Sequence, residues 1–416
     1  MLLIKNIKLL GGILDAAETK RSGKSMNQLN CIEHAYLLVS DGKIKSFGTM
    51  AEWEAMQHDF AFISAQVDAT GKVVLPGWCD SHTHIVYAAS REEEFVDRIS
   101  GLSYEQIAKR GGGILNSAKK VADATEEELF DGAMNRIKQM IQKGTTAIEI
   151  KSGYGLSVEG ELKMLRIIRE LKKKSGVCIK ATFLGAHAIP ALYKNNRRGY
   201  IDLLINEIMP QIADEHLADY CDVFCEDGYF TQDETIEILE SAKLFGMIPK
   251  VHANQMSNSG GVQAGVQCHA RSVDHLEYVA EEEIKCLLNS HTMPTVLPGA
   301  AFFLSLPLPP ARKMIDAGLP VAVATDFNPG SSPTGDMNFM QSLLCIQYKL
   351  TPAEAIHAGT INSAYAMHCS EEMGSITVGK AANFYSTKKV PSLAYLPYSF
   401  NENLIDEVYV NGKNVK

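Results

Sequence analysis

Two histidines two residues apart, His82 and His84, follow the apolar run Val73-Val74-Leu75-Pro76-Gly77-Trp78. If that run enters a β-strand, side-chain alternation places both imidazoles on one face. Such a pair can hold one divalent metal, but His-x-His also arises by chance, with one histidine at the surface and one in the core. Further donors follow at wide spacing: His252, His275 and Asp326. Three imidazoles and one carboxylate suit zinc or ferrous iron and leave a position for water. A bound metal lowers the pKa of water from about 15.7 to about 7, on the order of 12 kcal/mol in favour of hydroxide. A neighbouring base must still take the proton, and His275 and Asp326 are the candidates.

The elements that would position these residues alternate between β and α. Strand-like runs occur at 76–84, 145–150, 178–184, 221–225, 248–252, 272–276, 292–296 and 320–325, and helical patterns such as 126–142, 158–174 and 233–245 separate them. Eight such units predict an α/β fold, a (β/α)8 TIM-type barrel, in which reacting groups gather at the C-terminal strand ends. His82, His84, His252, His275 and Asp326 all fall there. The alternative is a doubly wound open sheet, for which no Gly-x-Gly-x-x-Gly follows a first strand. Before the barrel, Tyr36–Val39 and Lys43–Phe47 flank Asp41-Gly42, a hairpin signal. Residues 50–57 suit a short helix, and 18–30 read as polar loop. After the barrel come helices at 336–347 and 352–367, a return to β character at Gly374–Lys380, and a second hairpin at Val408–Lys413. Residues 1–75 and 372–416 are therefore expected to build a small β-sandwich domain from both chain ends, with 76–371 as the barrel.

The 416 residues exceed one ordinary core. Apolar residues at 46% and charged residues at 21% suit a soluble globular chain. A net charge of -9 argues against nucleic acid or an anionic membrane as partner. No run approaches a membrane span, and Met1–Ile7 reads as a strand rather than a secretory signal. Nine scattered cysteines without a Cys-x-x-Cys pair point to reduced thiols and a cytoplasmic setting. Cys225 and Cys268 read as buried thiols, and Lys172-Lys173-Lys174 as a solvated helix end.

Longer segments carry a resemblance. They are Pro76–His84, Ala89-Ser90-Arg91-Glu92-Glu93-Glu94-Phe95, Gly111-Gly112-Gly113-Ile114-Leu115, Glu149-Ile150-Lys151-Ser152-Gly153-Tyr154-Gly155, Phe183–His187, Ser272–Leu276 and Thr325-Asp326-Phe327-Asn328-Pro329-Gly330. Through these, over nearly its whole length, the chain resembles the imidazolonepropionase family of the amidohydrolase superfamily. The first segment is shared across the superfamily; Lys-Ser-Gly-Tyr-Gly and Asp-Phe-Asn-Pro-Gly are far more particular. The resemblance implies hydrolysis of 4-imidazolone-5-propanoate to N-formimidoyl-L-glutamate in histidine breakdown. It implies one zinc or iron ion per subunit, held by His82, His84, His252 and Asp326. It also implies that Arg91, Tyr154 and His187 hold the substrate, with Asn328, Gly330 and Ser331 lining the same pocket. A homodimer is the expectation by analogy.

The residue chemistry can be set beside these roles. A guanidinium fork matches the carboxylate tail, so Arg91 suits a tail clamp; on sequence alone a surface salt bridge among Glu92, Glu93 and Glu94 is the plainer reading. Tyr154, between two glycines, suits a flexible turn from which it could bond or stack on the ring. The reaction is written as metal-bound hydroxide attacking the lactam carbonyl. His275 relays a proton to the departing nitrogen, or else only orients a ligand. No lysine ends the fourth strand, Phe224-Cys225-Glu226, to bridge a second metal, so one metal is favoured; Glu226 is the residue that could reverse this.

One departure stands out. Family members often carry glutamate three residues after the fifth-strand histidine, where this chain has Gln255. An amide takes up no proton near neutral pH, so Gln255 is assigned to substrate binding, and the base role passes to His275 with Asp326. A shifted substrate preference is the other consequence to weigh. Purine or pyrimidine deaminases and other cyclic-amide hydrolases of the superfamily are the nearest alternatives, and a non-catalytic metal-binding barrel is the most distant. The Gly111–Gly113 run reads as an active-site loop.

Overall fold

The computed structural model describes residues 1–60, 63–102, 106 and 112–416. The glycine run expected to form an active-site loop therefore lies partly outside the described residues, at Gly111. Eight parallel strands form one sheet in sequence order: β6 (Trp78–Thr83), β7 (Thr145–Lys151), β8 (Cys178–Ala186), β9 (Tyr220–Cys225), β10 (Ile248–Ala253), β11 (Ser272–His275), β12 (Met293–Val296) and β13 (Ala322–Val323). The last strand returns to the first. Asp326 N–H donates to His82 O at 3.0 Å, and His84 N–H to Phe327 O at 2.9 Å. Asp80 adds a side-chain lock, accepting from Thr325 N at 3.0 Å and Thr325 Oγ1 at 2.6 Å. An open doubly wound sheet makes no such contacts between its edges, so the architecture is the barrel.

Helices pack around it, and several begin at Thr-x-x-Glu capping boxes. Thr125 with Glu128, Thr231 with Glu234 and Thr351 with Glu354 each pair reciprocally, satisfying donors that a first turn leaves open. Helices at Glu126–Ile141, Val158–Lys174 and Gln232–Leu244 match the expected spans. Lys172, Lys173 and Lys174 are the exposed last turn of the second. The span 352–367 is helical, with a π turn at Ala358–Asn362.

Both chain ends join in a second eight-stranded sheet: β1 (Leu2–Gly11), β2 (Cys31–Ser40), β3 (Lys43–Thr49), β4 (Ala65–Asp68), β5 (Lys72–Pro76), β14 (Phe384–Lys389), β15 (Ile405–Val410) and β16 (Lys413–Asn414). The two expected hairpins are present. Asp41 and Gly42 have φ of 53° and 75°, and Asn411 and Gly412 have φ of 47° and 71°, the left-handed pairs that match strand twist. Gly374–Lys380 differs from its expectation. It contributes one isolated bridge, Ile376 to Ile13, and the strand begins only at Phe384. Gly374 and Gly379, at φ of 87° and 91°, turn the chain out of extended geometry at both ends of the segment.

Candidate active site

The barrel interior is polar near its C-terminal end. Strand alternation brings Asp80 and His82 of β6, Glu149 and Lys151 of β7, and Lys250 and His252 of β10 to one side in each strand. At the rim His82, His84 and His252 offer ligand atoms within 4.8 Å of one another, as do His82, His275 and Asp326. His82 Nε2 lies 3.2 Å from His84 Nε2 and 3.6 Å from Asp326 Oδ1, and His84 Nε2 lies 3.4 Å from that oxygen.

The tautomers show what belongs between these atoms. His82 Nδ1 donates to Asp274 Oδ2 at 2.6 Å, and His252 Nδ1 to Asp222 Oδ1 at 3.0 Å. Their Nε2 atoms therefore carry lone pairs, and His252 Nε2 is buried with no hydrogen-bond partner. Burial, followed by Lys151 for His82 and by His187 for His84, holds both rings well below the ordinary imidazole pKa, hence neutral. Converging lone pairs and a carboxylate oxygen repel one another unless a cation joins them. The donor set fits a divalent metal.

Directly beneath lies an ionic cluster that the sequence did not disclose. Lys151 Nζ is 2.5 Å from Glu149 Oε1, 2.8 Å from Asp222 Oδ2 and 3.9 Å from Asp274 Oδ2. Lys250 donates to Ser81 O at 3.2 Å and pairs with Glu149. All five side chains are buried. Burial opposes the Lys151 charge, but Asp222 and Glu149 outweigh it and keep it protonated. Burial likewise opposes ionised Asp222, and His252 and Lys151 hold its carboxyl well below the usual range.

Above the metal-competent cluster is a cavity of about 340 Å³. Arg91, Tyr154, His187, Gln255, His275, Asp326, Asn328, Gly330 and Ser331 all line it, with His84 and His252 at its floor. Arg91 does pair with Glu94, with Nε 2.8 Å from Oε2, but the pair is nearly buried rather than on the surface. A Cβ on Gly330 would stand 2.2 Å from Arg91 Nη1, so the guanidinium packs directly against the bare glycine backbone at this wall. His187 Nδ1 donates to Gly153 O at 3.1 Å, and its ring stacks on His84 at 5.5 Å. Burial, then His252, pushes its pKa down to about 3, leaving a neutral ring with Nε2 as acceptor.

Two expectations are sharpened. The turn carrying Tyr154 is held, not loose: the buried Glu161 carboxylate accepts from Gly153 N at 3.1 Å, Gly155 N at 2.8 Å and Leu156 N at 2.9 Å. Asn328 lines the cavity, yet its amide is spent inside its own loop. Nδ2 donates to Asp326 O at 2.7 Å and Ser331 Oγ at 2.6 Å, and Oδ1 accepts from Gly330 N at 2.7 Å and Ser331 N at 2.8 Å. Ser331 Oγ in turn lies 3.1 Å from Asp326 Oδ2. Glu226 is occupied as well, accepting from Met256 N at 2.9 Å, Asp227 N at 3.1 Å and Ser257 Oγ. It shapes the loop that carries Gln255. Cys225 and Cys268 have thiols raised by burial, the latter to about 12, which suits inert core residues.

The amidohydrolase family model matches residues 73–415. An imidazolonepropionase of Christiangramia forsetii is 54% identical over 412 residues, 99% of each chain. One of a Geobacillus species is 40% identical, covering 100% of this chain and 97% of its own. Among solved structures, a zinc-bound adenosine deaminase from Xanthomonas campestris superposes with a TM-score of 0.72 at 17% identity, covering 99% of this chain and 92% of that one. A guanine deaminase from C. acetobutylicum with bound guanine gives 0.70 at 14% identity, covering 100% and 99%. The structural matches speak to the fold alone.

Proposed function

The chain belongs to the amidohydrolase family and is a metal-dependent hydrolase; from that premise we propose that it opens the ring of 4-imidazolone-5-propanoate to N-formimidoyl-L-glutamate in histidine breakdown. The observation that carries this reading is one cavity with an arginine on its wall and the His/Asp cluster at its floor. A small ring ending in a carboxylate tail matches that polarity, whereas a purine base carries no carboxylate to pair with the guanidinium.

A metal at His82, His84, His252 and Asp326, when bound, supplies Lewis acidity toward water and the lactam oxygen. The remaining work belongs to the chain. Arg91 takes the tail carboxylate as a fork. Neutral His187 and Tyr154 border the ring, and Gln255 offers its amide to it. Ser331, steadied by Asn328, orients Asp326. His275 receives the proton at one nitrogen and returns it to the ring nitrogen as the C–N bond breaks. A single zinc or iron ion is the expected complement, since Glu226 is committed to the loop at Met256 and Ser257. We place the enzyme in the cytoplasm, where its nine free cysteines stay reduced, and take a homodimer as the assembly by analogy.

The test is direct. Purified chain is analysed for metal per subunit and offered imidazolonepropionate, with loss of its ultraviolet absorbance followed. Turnover with a metal ratio near one is expected. Ammonia release from purines or pyrimidines, without ring opening of the imidazolone, would overturn the substrate, and a ratio near two the single-metal assignment.

A further inference from the structure

His275 ends β11, and the chain then turns sharply. His275 and Leu276 have φ of 86° and 72°, two successive residues in the left-handed region. Such strain persists where surrounding structure over-determines it. Here Leu276 N–H is tied to Ala253 O at 3.1 Å and Tyr278 N–H to Asn254 O at 2.9 Å. The result sets the Glu277 carboxylate beside the His275 ring, with Oε1 3.7 Å from Nδ1.

The Glu277 side chain is fully buried, and neither of its oxygens has a hydrogen-bond partner among the described residues. His275 Nδ1 is buried without a partner as well. Stranding a carboxylate in this way costs stability, and native structures keep such groups chiefly where they have a task. The two orphaned atoms face each other at slightly more than hydrogen-bond distance, a separation that catalytic pairs commonly close when substrate binds.

We propose that Glu277 is the positioning residue of His275, its carboxylate accepting the Nδ1–H so that Nε2 is the one acceptor the ring offers the cavity. The inference rests on the reading of His275 as proton carrier. The carboxylate then acts through an imidazole, beside Gln255, whose amide takes up no proton near neutral pH. Nε2 takes one proton from the attacking water as the O–C bond forms and gives it to the ring nitrogen as the C–N bond breaks. Glu277 touches neither substrate nor water.

The test compares metal-loaded wild type with Glu277→Ala and Glu277→Gln. Glu277→Ala is expected to lower kcat about 10²-fold with KM and metal content unchanged. Glu277→Gln keeps an acceptor for Nδ1–H and is expected to lose less. Nitrogen-15 NMR of the imidazoles, which needs no turnover, is expected to find the Nδ1–H tautomer at His275 in wild type and its loss in Glu277→Ala. A folded, metal-loaded Glu277→Ala with kcat within about threefold of wild type overturns the proposal, as does an Nε2–H tautomer in wild type. A merely structural Glu277 would lower the melting temperature and leave kcat alone. If Glu277→Ala does not fold, the isosteric Glu277→Gln and the wild-type tautomer decide. A wild type that leaves the imidazolone intact yet shows the Nδ1–H tautomer sinks the substrate and supports the pair; an active wild type indifferent to position 277 does the reverse.

Discussion

Gln255 and His275 line the same cavity, yet only one of them can take a proton, and that difference is measurable. In the proposed role, replacing Gln255 with Ala would remove a hydrogen bond to the ring, worth about 1 kcal/mol. The expected result is a KM raised several-fold with kcat nearly intact. Replacing His275 with Ala would remove the proposed proton carrier, and kcat is expected to fall by about 10² to 10⁴ with little change in KM. Steady-state kinetics of the two variants check the division; equal, near-zero effects would end it. Arg91 offers a parallel contrast between charge and geometry. Its fork sits against Gly330, and Arg91→Lys keeps the charge while losing the planar pair of donors. A KM for imidazolonepropionate about tenfold or more higher is expected, with a much smaller change for an imidazolone lacking the carboxylate. A uniform loss on both compounds would mean that Arg91 supports the loop through Glu94 and not the tail.

At the scale of the element, the strands do more than carry ligands to a rim. Asp222 of β9 and Asp274 of β11 each receive an Nδ1–H from a metal-competent histidine, and Lys151 of β7 sits against both carboxylates. Three strands thereby fix the tautomers of two metal-competent histidines. Asp222→Asn is expected to weaken zinc affinity 10- to 100-fold, read by competition with a chromophoric chelator; unchanged affinity would make the cluster packing alone. The eight strand runs were legible because apolar stretches alternate with helical periodicity, and the histidines because each stands at a strand end. The carboxylates beneath were not. Asp222 and Lys250 sit in runs that read as buried strand, and nothing in a run reveals which side faces the barrel axis. Asp274 and His275 are adjacent, so regular alternation sends them to opposite faces; the φ of 86° at His275 breaks that alternation, and no residue type announced it. The amide of Asn328, spent within its own loop, was equally hidden, because a family motif marks a position without saying what it bonds.

At the scale of the whole molecule, the metal-competent cluster depends on contacts from distant parts of the chain. β5 enters the small sheet, pairs with β14 from the other chain end, and runs on through Gly77 into β6, which bears His82. Tyr385 of β14 is buried against Trp78 of β6, with ring centroids 5.3 Å apart. The rim closes as Asp80 reaches Thr325, Asp326 reaches back to His82 and His84 reaches Phe327. The candidate ligands, drawn from the first, fifth and last barrel segments, cannot converge in an unfolded chain, so metal is expected to bind the native state far more tightly and to stabilise it by mass action. With free metal at about 1,000 times Kd the gain is about 4 kcal/mol. For a chain of 416 residues that corresponds to a rise in melting temperature of about 5 °C. Calorimetry of chelator-stripped protein is expected to show the lower transition, with zinc restoring the higher one. In Asp222→Asn the same zinc concentration should recover only part of the shift, because affinity has fallen while the fold has not. A stripped protein melting at the same temperature as the loaded one would mean that the barrel holds its rim together without the ion.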